Sequence, residues 1–195
     1  MTPWAWIGVA AAGLVGWLFL RKKDAPSVKA PSHVALIGDS LAVGLGTPLM
    51  KELAPAKLVV NAHVSARASD WLGKYNQELE YVLNMIKPEV VLISLGTNDS
   101  AAGGTGFVKD FKAIADRIQA KGATPIFLGP PELPWAREGI YVAGEAAGFL
   151  IKAPSGLAHA PDGVHLTPQG YAEWAKYLGK TLRNGVSDLG SIYDW

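Results

Sequence analysis

Short apolar runs alternate with amphipathic stretches through most of the chain. VALIG (34–38) is an unbroken apolar run closed by glycine, which predicts a buried strand. LVV (58–60), VVLISL (90–95) and TPIFLG (124–129) predict three more, and FLIKA (149–153) a short fifth. Helices are expected between them. One occupies about 41–54. Tyr75, Leu79, Val82, Leu83 and Ile86 recur at helical spacing up to Pro88. Phe107, Phe111, Ile114, Ala115 and Ile118 mark another, which stops near Gly122. A helix at about 136–147 is expected within the irregular stretch 130–165. Tyr171, Trp174, Ala175, Leu178 and Leu182 mark the last, with Thr167 as N-cap and Pro168 at its first position.

Strand–helix alternation with apolar strands predicts a parallel sheet covered on both faces. The expected fold is an α/β domain: a three-layer α/β/α sandwich of the flavodoxin-like kind, with about five parallel strands, over residues 33–195. No internal repeat or low-complexity tract interrupts it.

The N-terminus follows a different pattern. Residues 1–20 carry no charge, and 3–20 form an apolar run of 18 positions. As a helix it would span roughly 27 Å, against about 30 Å for a bilayer core. Trp4, Trp6 and Trp17 near its ends suit interfacial aromatic belts, and Arg21, Lys22 and Lys23 stop it abruptly. A cleaved signal peptide would carry its positive charge before the apolar core. A buried core helix would not be apolar all round beside three bases. A single transmembrane helix fits best, giving an anchor over 1–23, a linker over 24–32 rich in Pro, Ala and Ser, and the domain beyond. The positive-inside rule then puts the domain on the cytoplasmic side. Gly8, Ala12 and Gly16 share one helix face, where close contact with a partner helix is sterically open.

The 195 residues carry 18 Lys+Arg and 17 Asp+Glu. That near balance hides a split. Residues 21–31 hold four bases and one acid, whereas 32–195 hold 14 bases and 16 acids. The domain lacks the basic excess of a nucleic-acid binder. With no cysteine there is no disulfide, thiolate nucleophile or cysteine-ligated metal. H-E-x-x-H, P-loop and dinucleotide-binding motifs are also missing, so no cofactor or metal is expected.

In a doubly wound sheet, ligands bind beyond the C-terminal strand ends. The segments expected at that rim are Gly38-Asp39-Ser40-Leu41, Asn61 to Arg67, Gly96-Thr97-Asn98-Asp99 and Asp162-Gly163-Val164-His165. Ser40 at a strand-to-helix turn would be exposed near a helix N-terminus, where developing negative charge is favoured. A histidine can take its proton near neutral pH. An aspartate three residues before that histidine, as Asp162 stands before His165, can fix the ring's tautomer. The Asn98 amide can serve an oxyanion. His159 is a weaker alternative base. His63 reads first as a structural histidine and second as a site-lining one, Trp135 reads equally as core or site-lining, and His33 as exposed. Asn98-Asp99-Ser100 also matches a glycosylation sequon, which the placement of Asn98 discounts.

VALIGDSLAVG (34–44), LISLGTNDS (92–100) and DGVHLTPQGY (162–171) together resemble the first, third and last blocks of the SGNH, or GDSL-type, hydrolases. The resemblance covers about residues 33–183. It implies that Ser40 is the nucleophile and His165 the base, oriented by Asp162, with an oxyanion hole from the Ser40 N–H and the Asn98 side chain. The family's second block supplies a further backbone N–H, normally from glycine. VNAHVSARAS (60–69) puts Ala66 there, a departure that implies a reshaped hole. Arg67 follows where a small or acidic residue is usual, and either binds an acidic substrate group or forms a surface salt bridge. Gly38, Asp39, Gly96, Thr97 and Asp99 would support the site.

The implied activity is a membrane-anchored serine esterase acting on acyl or acetyl esters, on a substrate such as a cell-envelope glycan or lipid. Two other readings stay open: an acyltransferase on the same triad, and a structural or binding protein of a membrane assembly with an idle site.

Overall fold

The computed structural model describes residues 30–101, 107–133, 140–141 and 150–184. The apolar segment 3–20, its basic stop, the Gly8, Ala12 and Gly16 face, Trp135 and Phe149 lie outside the described residues. Of the helix expected over 136–147, only residues 140–141 are described, and they are helical. Among the described residues no helix is long and apolar enough to cross a membrane.

Five strands form one parallel sheet: β1 (His33–Gly38), β2 (Lys57–Ala62), β3 (Val90–Ser94), β4 (Thr124–Leu128) and β5 (Leu150–Ile151). Their order is β2-β1-β3-β4-β5. The chain winds from β1 to β2 on one side and then returns past β1 to β3. Right-handed crossovers send the helices of these two directions to opposite faces. Accordingly α1 (Ser40–Leu53) packs with the last helix, α6 (Pro168–Arg183), while α2 (Ala68–Leu72) packs with α5 (Phe107–Ala120). The order reverses between β1 and β3, so their C-terminal ends flank the crevice where such sheets hold ligands.

The helical patterns read from sequence bury the residues they should. Phe111, Ile114, Ile118, Trp174, Ala175, Leu178 and Leu182 are all fully enclosed. Phe111 stacks on Phe127 of β4 with centroids 4.7 Å apart. Thr167 caps α6, its hydroxyl accepting the Gly170 N–H at 3.1 Å.

Some boundaries differ from expectation. β3 stops at Ser94, and β5 is only two residues. The helix expected from Tyr75 begins at Asn76 as α3 (Asn76–Tyr81) and widens into a π turn, Val82–Ile86. There the Lys87 N–H reaches back five residues to the Val82 carbonyl at 3.1 Å. Lys87 then turns left-handed, φ 51°, to lead into β3. Two single-turn helices, α2 and α4 (Thr97–Ala101), replace expected loops.

Candidate active site

β1 ends at Gly38, where β3 lies too close for a side chain. A Cβ there would stand 2.3 Å from the Ser94 carbonyl oxygen. The next N–H, that of Asp39, donates to the same carbonyl at 2.9 Å. Asp39 caps α1, its carboxylate accepting the Leu41 N–H at 2.9 Å. Ser40 is therefore the first helical residue, with a backbone N–H that has no intrahelical acceptor.

His165 comes from the loop before α6. The Ala160 N–H to His165 carbonyl bond (2.8 Å) and the Thr167 N–H to Ala158 carbonyl bond (2.8 Å) close that loop. Gly163 supplies the positive φ of its turn, 68°. The Asp162 carboxylate accepts the N–H groups of Val164 and His165, both at 2.9 Å. Its other oxygen lies 2.7 Å from His165 Nδ1, and His165 Nε2 lies 2.9 Å from Ser40 Oγ. With Nδ1 protonated and donating to Asp162, Nε2 accepts the serine hydroxyl. The His165 hydrogen bond and the two backbone donors hold Asp162 down to about 2. The Asp162 and His165 side chains are 52% and 40% exposed, so the relay is open to water.

The remaining sequence candidates gather around it. Asn98 stands in the first turn of α4 and donates from Nδ2 to the Ala66 carbonyl at 3.0 Å, leaving one amide hydrogen for a ligand. Two observations bear on the part the resemblance gives Ala66. Its backbone is not in the left-handed region; Ser65 carries that conformation, with φ 63°. The Ala66 N–H already donates to the His63 carbonyl at 3.1 Å, closing a tight turn. Among these groups, the Ser40 N–H and one Asn98 amide hydrogen are left without an internal acceptor, whereas the Ala66 N–H is engaged.

Gly96 has φ 106°, and a Cβ there would meet Ile140 at 2.5 Å, so glycine is required. Asp39, Thr97 and Asp99 are buried behind the site. One Asp39 oxygen is enclosed with no hydrogen-bond partner. Burial pushes the Asp39 carboxyl up to about 7, with the Asp99 charge adding to the rise. Asp99 is raised by its own burial, although it accepts the Ala68 N–H at 3.1 and 3.2 Å and feels the Arg67 charge. Arg67 is exposed, and its N–H donates to Asp70 at 2.8 Å to start α2.

The other histidines stand apart from the relay. His63 Nε2 bonds Glu78 at 2.8 Å, and its ring stacks on Tyr75 with centroids 3.8 Å apart. Both ring nitrogens of His159 are enclosed without partners. His33 opens β1 beside Glu89. Sequence reasoning missed Tyr171 as anything but core. Its ring covers Gly44, which ties α1 to the segment carrying His165. Among the described residues no cluster of His, Asp and Glu is arranged to hold a metal ion.

No protein-family model matches the chain, and no curated protein matches it significantly. Solved structures do. A putative SGNH hydrolase from Slackia heliotrinireducens superposes with a TM-score of 0.64 at 19% identity, covering 77% of this chain and 98% of that one. The lipase/acylhydrolase from Enterococcus faecalis gives 0.63 at 16% identity, with coverages of 78% and 95%. A family 3 carbohydrate esterase from Clostridium thermocellum gives 0.61 at 18%, with coverages of 78% and 97%. At these identities the likeness establishes a shared fold.

Proposed function

We propose that this chain is a serine ester hydrolase of the SGNH type, tethered to a membrane by residues 3–20. The observation that carries the reading is the continuous relay from Asp162 through His165 to Ser40 at the switch point of the sheet. Ser40 Oγ attacks the ester carbonyl as its proton passes to His165 Nε2. Asp162 stabilises the resulting imidazolium. The Ser40 N–H and the free Asn98 amide hydrogen face the developing oxyanion. His165 then gives the proton to the departing alcohol, leaving an acyl-serine. Water repeats the sequence and releases the acid. The exposure of the relay favours water over an alcohol as acceptor, hence hydrolysis over acyl transfer.

In this reading residues 1–23 form the anchor, 24–32 the linker and 33–195 the catalytic domain. The basic stop is what supports a cytoplasmic side for that domain. The Gly8, Ala12 and Gly16 face is the contact for a partner helix. No cofactor takes part.

The test uses a fluorophosphonate probe and a short-chain chromogenic ester. Covalent labelling at Ser40, with loss of labelling and turnover in Ser40→Ala, is expected. Retained turnover in that variant overturns the assignment.

A further inference from the structure

The oxyanion donors and the base stand on different sides of Ser40. Asn98 is tied to the Ala66 carbonyl, which leads into α2, and α2 packs with α5. His165 leads into α6, which packs with α1 on the opposite face of the sheet. An ester bound with its carbonyl oxygen at Asn98 turns its alcohol oxygen toward His165 Nε2, the atom that must protonate it. What the alcohol carries then continues along the α1–α6 side.

A groove of about 460 Å³ runs down that side. Small-molecule sites span roughly 300–1,000 Å³. Its upper end is formed by Gly44, one turn after Ser40, and by Leu166, the neighbour of His165. Its lower end is formed by Lys51 and Glu52, about 17 Å below Ser40 at 1.5 Å per residue.

The groove mixes apolar and polar surface along its length. Pro48, Pro168 and the Tyr171 ring supply the apolar part. Pro48 also lies inside α1, where it has no N–H to give the Gly44 carbonyl. Gly44 and Pro48 both line the groove, so that carbonyl stands on its wall as an acceptor without its helical donor. Beside and below it come the Thr47 hydroxyl, the Lys51 ammonium and the Glu52 carboxylate, which also faces Arg183 at 4.0 Å. Val43 and Met50, one turn to either side of Thr47, are 47% and 49% exposed and extend the apolar edge.

An alkyl chain laid along this groove would take water from the carbonyl, the hydroxyl and the two charges and return no hydrogen bond. A sugar ring meets both kinds of surface. Its hydroxyls donate and accept, and its C–H faces pack on proline and tyrosine rings.

We infer that the α1–α6 groove holds the alcohol side of the substrate and that this alcohol is a sugar, so that the ester cleaved is an O-acylated glycan. The inference rests on the hydrolase reading and names its substrate class.

The full chain is assayed on acetyl esters that differ only in the alcohol: an acetylated cello-oligosaccharide, octyl acetate and 4-nitrophenyl acetate. kcat/KM on the oligosaccharide ester is expected to exceed that on octyl acetate by about tenfold or more. Thr47→Phe and Ala172→Phe, at exposed positions on opposite walls, fill the groove. Each should raise KM for the oligosaccharide ester by about tenfold or more, with a smaller effect on kcat and on 4-nitrophenyl acetate. A preference for octyl acetate overturns the sugar assignment. An oligosaccharide-ester KM that neither variant moves, or equal losses on all the esters, overturns the groove assignment. If 4-nitrophenyl acetate alone is cleaved, the hydrolase reading stands and this inference falls. If no ester is cleaved and Ser40 is not labelled by the fluorophosphonate, both fall.

Discussion

The ring of Tyr171 occupies the space that a side chain on Gly44 would fill: a Cβ there would stand 2.3 Å from Tyr171 Cζ and 2.5 Å from Cε2. Gly44 lies one turn after Ser40, and Tyr171 six positions after His165. The contact thus braces the helix carrying Ser40 against the segment carrying His165. In an isolated helix, Gly44→Ala would stabilise by about 0.5–1 kcal/mol. Here the new methyl group would overlap the ring, and overpacking of this kind costs about 1–3 kcal/mol. Gly44→Ala is expected to lower Tm and also to lower kcat/KM at temperatures where the variant remains folded. A rise in Tm would show that the ring does not hold the helix.

Asp162 bears on the pH profile. Its carboxyl is depressed to about 2, chiefly by the His165 hydrogen bond and then by two backbone donors. Its contribution to holding the loop is present above about pH 4 and lost as the pH falls toward 2. Asp162 therefore stays ionised throughout pH 4–9, and no limb of the rate profile in that range should belong to it. Asp162→Asn should lower kcat by roughly 10³–10⁴. Thermal melts at pH 7 should show a far smaller effect, since the side chain is half exposed.

Asp39 acts in the opposite sense. Burial raises its carboxyl to about 7 in the folded chain, from an ordinary value of 3.8. Between those values the folded chain holds a proton that the unfolded chain has lost. Stability therefore falls as the pH rises through this window and levels off above it. The full effect is a few kcal/mol, no more than roughly 4. Asparagine caps a helix as well as aspartate does. Denaturant titrations of Asp39→Asn at pH 5 and pH 8 should therefore differ less than those of the parent. Asp99, raised in the same direction, leaves a residual slope. An unchanged difference between the two pH values would refute the assignment to Asp39.

For the oxyanion hole, Asn98→Ala should reduce kcat by about 10²–10³. Ala66→Gly should change kcat little and cost about 0.4–1 kcal/mol through the greater freedom of the unfolded chain. A large gain in kcat from Ala66→Gly would mean that the methyl group narrows the hole after all.

The strands and long helices were legible because burial imposes a period on them. Phe107 to Ile118 and Tyr171 to Leu182 point one way every third or fourth residue, and all the marked positions are buried. The relay was legible because Ser40, Asp162 and His165 each lie where a strand or loop meets a helix. Elements of a single turn, such as α2 and α4, are too short to show a period. The π turn depends on one bond, from Lys87 to Val82, which leaves no mark in composition. The left-handed turn at Ser65 was not legible, because it lies one residue before the position where the resemblance drew attention to backbone freedom. The burial of Asp39 was hidden, since an aspartate after a strand reads as a helix cap and nothing local says that β3 and α4 close over it.

Ser40 and His165 are 125 positions apart. During synthesis the serine emerges first and stays an ordinary alcohol until the loop before α6 has been made and folded against α1. At ribosomal speeds that interval is roughly 6–25 s. On the proposed assignment, a nascent or truncated chain carries Ser40 without His165, and reactivity toward a serine probe then reports that folding is complete.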